Sequence, residues 1–559
     1  MSVNGRDTAP EAAPAGVPLR ESLAVSLLVT LATLWYVQPV FNLRAMDRAI
    51  YWGDVRLNVW ALAWNHRVFT GHAWPYFDGN IFYPHPATLA YSEHLFGIAL
   101  PMLPLHLMGA PAPLVYNIAW LLSFPLLGLA THLLCRRAGL GRVGGAVAAT
   151  LTACSFVRIH HTGHLQLLWL FGLPLAVYHL DRWREHPTPA RLGAWALSVL
   201  TTSLASWYLA VLVVFVHLTW WPRCVWPHRR HRPAVHAVLA ALGVAVVLGM
   251  FARPYVGTSR GSLGEMRANA ADAHAYLVPA AATSLGHAMK TAGSALPRWS
   301  FGEQTLYVGI VVAGLAMVGI VRVLRGHAGR PDLWAQLVVT GIASLLLSLG
   351  PSADGTPRLL PFDLLAGTEG LSLFRAPARF GLLVSLTLGC LAGAAVDGWR
   401  RPYAWVLASA LVVVALVDLR PNHYELKPPQ PETISPLYEH LARLPPGAVV
   451  SLPIARNHPL PWYDADYEWY ATRHWQPIAN GYSRFEPPGY ADLATHLAGF
   501  PGSEALDAMC ALQVRYVVVH ARRPVADLRA AIAAAGEVTR LRRISRAGED
   551  VLYEVACPS

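Results

Sequence analysis

The sequence predicts a polytopic α-helical membrane protein with a small α/β domain at its C-terminal end. Three observations lead there. Of 559 residues, 54% are hydrophobic and only 14% are charged, whereas an ordinary soluble domain carries about 25% charge. The apolar residues fall into blocks close to the roughly 20 residues that a helix needs to cross a bilayer. The arginines gather on alternate connections between those blocks, as cytoplasmic loops require.

The first block, Leu23 to Phe41, follows a Pro/Ala-rich tail and Arg20 and has no small-x-small cleavage site after it, so it reads as an uncleaved anchor with a cytoplasmic N-terminus. Further blocks run Leu114–Leu134, Val143–Val157, Leu165–Leu180, Leu192–Ser206, Tyr208–Trp221, Val235–Phe251, Leu306–Val321, Leu333–Leu349, Leu382–Val396 and Ala404–Val417. That makes about eleven spans. Leu95–Met108 is apolar but short and holds Pro101 and Pro104, so it is expected to be re-entrant or interfacial.

Arg136, Arg137 and Arg142, then Arg182, Arg184 and Arg191, then Arg223 to Arg232, then Arg322 to Arg330, then Arg400 and Arg401 all fall on one side under this scheme. The formal charge of +11 is therefore a topology signal and not a nucleic-acid surface. The expected organisation is a cytoplasmic tail over 1–20, a transmembrane domain over 21–419 whose first outer loop is 42–95, and an extracytoplasmic α/β domain over 420–559. In the last, Val449–Ile454, Val514–His520 and Val551–Val555 read as strands, and Pro436–Leu444 and Pro524–Ala535 as helices.

Six cysteines include no CxxC, and only Cys510 and Cys557 lie where an oxidising compartment could join them. There is no P-loop or GxGxxG fingerprint.

Four clusters could carry chemistry. In the first outer loop, Asp54 sits among Tyr51, Trp52 and Gly53, with Arg56 two residues on and Glu93-His94 at the loop's end. Asp54 could be a general base, or Gly53-Asp54 could be the turn and N-cap of an interfacial helix. The turn Arg158 to Gln166 concentrates His160, His161, His164 and Gln166, which could ligate a metal or contact phosphate, or simply be loop polar groups. Arg375 and Arg379 lie outside the tenth span, where they suit bidentate phosphate contacts or ordinary snorkelling. The stretch Trp462 to Tyr470, followed by His474, Asn480 and Tyr482, could stack on a sugar or fold back on the membrane interface.

On Gly53-Asp54, Asn80 to Pro84, Ser92-Glu93-His94, Arg158 to Gln166, Ser206-Trp207-Tyr208, Arg375 to Phe380 and an outer C-terminal domain, most of the chain resembles the GT-C superfamily of membrane glycosyltransferases, near the bacterial family 39 and YfhO-like group. The resemblance implies an inverting enzyme of the cell membrane that moves a sugar from a polyprenyl-phosphate donor to an extracytoplasmic glycan, lipid or protein. It implies Asp54 as catalytic base supported by Glu93, and Arg375, Arg379 and Arg56 at the donor phosphate. His94, His161, His164 and Gln166 become candidate polar, metal or phosphate contacts, and Trp469, Tyr470, His474, Asn480 and Tyr482 sugar or acceptor contacts. The first loop lacks a DxD pair, and the Arg158–Gln166 turn has His where family 39 enzymes often have Asp, which leaves a divalent cation an open requirement. The rival readings are a lipid or glycan transporter or flippase, and a non-catalytic envelope-assembly protein. Span centres nearly free of charge weigh against transport.

Overall fold

The computed structural model describes residues 16–71, 75–256, 262–294, 302–352, 361–362, 374–399, 403–424, 426–454, 463–523 and 526–558. Most of the tail, Leu373, Arg400, Arg401 and Pro524 lie outside the described residues.

Among the described residues, seven helices are long and apolar enough to cross a membrane: Leu19–Val37, Ala112–Arg137, Arg142–His160, Trp207–His228, Arg232–Tyr255, Pro331–Ser348 and Pro377–Val396. Three shorter apolar helices, Phe96–Leu107, Ile310–Leu324 and Trp405–Leu419, accompany them. The protein is a multi-pass membrane protein. Pro377–Val396 and Arg142–His160 are almost wholly enclosed, and Arg232–Tyr255 is mostly exposed on the periphery. The two inner helices meet closely because Gly393 faces the Gly144 carbonyl, where a side chain would collide.

Phe96–Leu107 has 12 residues, about 18 Å of helix, too short to cross. Two expected spans are also short as built. Leu165–Leu180 divides into Leu165–Leu168 and Gly172–Glu185, and Leu192–Ser206 becomes Pro189–Ser203. Gly172 lies against the Ser198 carbonyl and the Thr202 hydroxyl, so those last two helices cross without room for a side chain.

The span Arg142–His160 is two helical pieces, Arg142–Ala153 and Phe156–His160, with a break between them inside the span expected over Val143–Val157. A break in apolar surroundings strands backbone carbonyls, and each must find a donor. Arg158 supplies one for Ala153 and ties in two neighbouring segments. Its guanidinium donates to Ala153 O at 2.5 Å, Ser123 O at 3.2 Å and Leu168 O at 3.1 Å, and to Ser123 Oγ at 3.0 Å. It also rests on the Phe124 ring, 4.3 Å from its centroid.

At one end of the bundle the topology arginines converge on two buried carboxylates. Asp181 accepts from Arg137 at 2.7 Å, Arg223 at 2.8 Å and Arg330 at 2.9 Å. Glu21 accepts from Arg136 at 2.8 Å and Arg142 at 3.0 Å. These contacts tie the helix ends Leu19, Arg137, Glu185, Val225 and Pro331 together.

The C-terminal part holds a four-stranded sheet in the order Ala448–Leu452, Val514–Val519, Asp550–Val555, Leu541–Ala547. The first pair is parallel and the other two are antiparallel. The apolar runs Val449-Val450 and Val517-Val518-Val519 are buried on both faces, as a parallel pair usually is. Leu541–Ala547, a strand the sequence reading lacked, is an Arg-rich edge, which blunts it against further pairing. A disulfide joins Cys510 to Cys557.

Residues 42–95 do not stand apart from this sheet. Phe82 N donates to Asn480 O, Tyr83 N to Ile478 O and Ile478 N to Asn80 O, at 2.9, 2.9 and 2.8 Å. Arg56 is 2% exposed, paired to Asp466 and Glu432, with its guanidinium 5.1 Å from the Trp469 ring centroid.

Removing one partner of a buried ion pair costs about 3–5 kcal/mol. Arg56→Met is therefore expected to lower the thermal unfolding temperature of the detergent-solubilised protein by several degrees, and an unchanged melt would show that the joint does not hold the two parts together. After denaturation without reductant, alkylation and peptide mass are expected to modify Cys135, Cys154, Cys224 and Cys390 and leave Cys510 and Cys557 linked.

Candidate active site

Gly53, at φ 60°, turns the chain into the helix Asp54–Phe69. Asp54 is the first helical residue, and the capping position belongs to Gly53, so the carboxylate is not used as an N-cap. Its Oδ1 accepts from Tyr482 Oη at 2.8 Å, and its Oδ2 lies 3.2 Å from His164 Nε2. Burial opposes ionisation of Asp54, but the His164 and Tyr482 contacts and the charge of Arg379 outweigh it and hold the carboxyl below its ordinary value. The side chain is 41% exposed, so it can be reached.

Asn58, one turn along the same face, donates to Gly163 O at 2.9 Å and to Gln166 Oε1 at 3.3 Å. This helix face thus carries the Arg158–Gln166 turn. Within that turn, His161 Nδ1 lies 3.4 Å from His164 Nδ1. Glu303 approaches His164 Nε2 at 4.0 Å.

Arg379 forks onto Glu303, with Nη2 to Oε1 at 2.6 Å and Nε to Oε2 at 3.1 Å, and stacks over the Tyr208 ring at 4.0 Å. Burial works against the charge of Glu303, and Arg379, His161 and His164 together hold it well below its ordinary value. Arg375 donates to Tyr208 Oη at 3.2 Å and to Glu265 Oε1 at 3.0 Å. The other Glu265 oxygen lies 3.6 Å from Arg484. The result is one anion-ready wall beside one held carboxylate.

Several residues expected here lie elsewhere or serve another purpose. Arg56 is two positions from Asp54, which on a helix turns it away, and Asp466 and Glu432 already neutralise it. Glu93 accepts from Ser206 Oγ at 2.9 Å and Trp207 N at 3.0 Å, so it anchors the start of the helix that bears Tyr208. Burial raises its carboxyl above the ordinary value, against those hydrogen bonds. His94 is packed among Trp207, Phe251 and Tyr255, accepts from Phe96 N, and is pushed down to about 3 by burial, so it stays neutral.

Of the aromatic and polar residues expected to contact sugar, Tyr482 alone is placed on Asp54. Trp469 stacks on Arg56, and Tyr470 bonds Glu432. His474 accepts from Gln476 N, and Asn480 bonds Ser451 and Asp464. These four are interior groups, less than a tenth exposed. Sequence reasoning missed Glu303 and Glu265, which carry no local motif, and Arg484, whose only signal is its place two residues after Tyr482.

His161, His164 and Glu303 bring their ligand atoms within 4.8 Å of one another. Two imidazoles and a carboxylate are a donor set suited to a divalent ion such as zinc. Arg379 already occupies both Glu303 oxygens, so an ion would have to share that carboxylate.

No curated protein matches the chain in sequence. Among solved structures, arabinofuranosyltransferase AftD from Mycobacteria superposes with a TM-score of 0.61 at 16% identity, covering 97% of this chain and 42% of its own. ArnT from Cupriavidus metallidurans (12% identity, TM-score 0.46) covers 96% of this chain and 98% of its own. The oligosaccharyltransferase AglB from Archaeoglobus fulgidus (11%, TM-score 0.47) covers 89% and 69%. The likeness to AftD shows that the two proteins share a fold. Residues 22–420 match the family described as Domain of unknown function (DUF6311), and the chain belongs to that family.

Proposed function

We propose that the chain is an inverting glycosyltransferase that moves a sugar from a polyprenyl-phosphate carrier to an acceptor on the extracytoplasmic side of the cell membrane. The observation that supports this best is the pairing of a reachable, ionised Asp54 with Arg375 and Arg379 around Tyr208. A base and a phosphate site are the two things the reaction needs.

In the reaction, the acceptor hydroxyl oxygen attacks the anomeric carbon while the bond from that carbon to the carrier phosphate breaks. The hydroxyl proton passes to Asp54. The departing phosphate keeps the bonding electrons, and Arg375 and Arg379 balance its charge, so no general acid is required. His164 and Tyr482 hold the Asp54 oxygens so that a remaining lone pair meets the acceptor. A divalent ion, if bound, would sit among His161, His164 and Glu303 and add positive charge there.

The reading includes a topology: N-terminus in the cytoplasm, the Asp181 and Glu21 arginine clusters on that side, and the first outer loop and C-terminal domain outside. The disulfide between Cys510 and Cys557 agrees with an oxidising outer compartment.

The test is transfer of radiolabelled sugar from polyprenyl-phosphate donors in membranes containing the wild-type chain. General-base catalysis contributes about 10²–10⁴-fold, so Asp54→Asn is expected to reduce transfer by at least that lower factor; full activity would remove Asp54 from the chemistry. Arg375→Ala is expected to raise the donor KM about ten-fold, the cost of one charge-assisted hydrogen bond. An unchanged KM would move the phosphate elsewhere.

A further inference from the structure

Apart from Tyr482, the residues of the proposed reaction lie in the membrane bundle and its loops. The C-terminal segment Gly481-Tyr482-Ser483-Arg484 reaches into the same space. We infer that this segment completes the active site in two ways: Tyr482 positions the Asp54 carboxylate, and Arg484 forms the donor-phosphate pocket together with Arg375. The inference rests on the proposed reaction and extends it to the C-terminal part.

Tyr482 is fixed at three points. Its hydroxyl donates to Asp54 Oδ1 at 2.8 Å, and its backbone N–H donates to the buried Glu468 carboxylate at 2.5 Å. The residue before it, Gly481, lies directly against the Phe82 ring, where a side chain would collide, so the segment packs closely on the 42–95 loop. A phenol held in this way fixes one oxygen of Asp54 while His164 fixes the other. It touches no reacting atom, so its role is positioning.

Arg484 and Arg375 take opposite oxygens of Glu265, at 3.6 and 3.0 Å. One carboxylate bridging two guanidinium groups marks the position where both can reach a single anion. A phosphate offers the same paired oxygens in that position. Tyr482 reaches Asp54 and Arg484 reaches Glu265, so both side chains are turned to the same space.

Kinetics separate the two roles. Tyr482→Phe is expected to lower kcat about ten-fold or more while leaving the donor KM within two-fold, and to cause no further loss in an Asp54→Asn background. Arg484→Ala is expected to raise the donor KM about ten-fold with kcat little changed, and Arg484→Lys to recover part of it. If transfer requires Asp54 but neither variant changes it, the inference is overturned and the proposed reaction stands.

A second measurement needs no transfer. Decaprenyl phosphate is expected to raise the unfolding temperature of the solubilised wild-type protein, with a half-saturating concentration about ten-fold higher in Arg484→Ala. Equal binding by both proteins, no binding by the wild type, or an equal effect from inorganic phosphate would overturn the phosphate assignment. Binding that depends on Arg484 in a protein that transfers no sugar would support the pocket and sink the reaction.

Discussion

Arg158 is the constraint on which the site depends. A guanidinium that is 1% exposed among apolar helices carries a heavy desolvation cost, and this one meets four acceptors and an aromatic face instead of a carboxylate. What it stabilises is a defect. The helix that begins at Arg142 stops at Ala153, and without a donor the Ala153 carbonyl would be stranded. Because Arg158 closes that break, the chain can turn at Thr162-Gly163 and bring His164 to Asp54, with His161 behind it.

The two ends of the bundle use charge differently. At the Asp181 end, acid and base are nearly matched: Arg137, Arg184, Arg223 and Arg330 face Asp181, Glu185 and Asp332. That end is a clamp, and its arginines are spent on packing helix ends. At the Asp54 end the pairs are fewer, partly open, and built from segments far apart in sequence: Asp54 with Tyr482, Arg379 with Glu303, Arg375 with Glu265. The opening is what makes that end usable.

Much of the fold was readable because membrane spans and buried strands leave long apolar runs, and the arginines mark loop ends. Arg375 and Arg379 stand out because the expected topology puts them off the arginine-rich side. Arg56 could have been set aside from spacing alone, since positions two apart on a helix face apart, whereas Asp54 and Asn58 share a face. The run Trp462 to Tyr470 mixes acids and aromatics, as a ligand surface also does. Tyr463–Ala471 is instead a helix buried on every side, held by Arg56 and Arg523. Glu303, Glu265 and the Cys510–Cys557 bridge depend on contacts across many residues that no local pattern records.

The glutamates bear on how a phosphate could enter. An arginine as enclosed as Arg379 is costly without a counter-anion, so some carboxylate must face it whenever a ligand does not. Glu303 does this for Arg379, and Glu265 for Arg375 and Arg484. Under the proposed reaction, phosphate binding is therefore an exchange of anions: the gain from new charge-assisted bonds is reduced by the loss of existing ones. Such an exchange holds the arginines in their forked geometry before substrate arrives, and it keeps affinity modest enough for the carrier phosphate to leave after transfer.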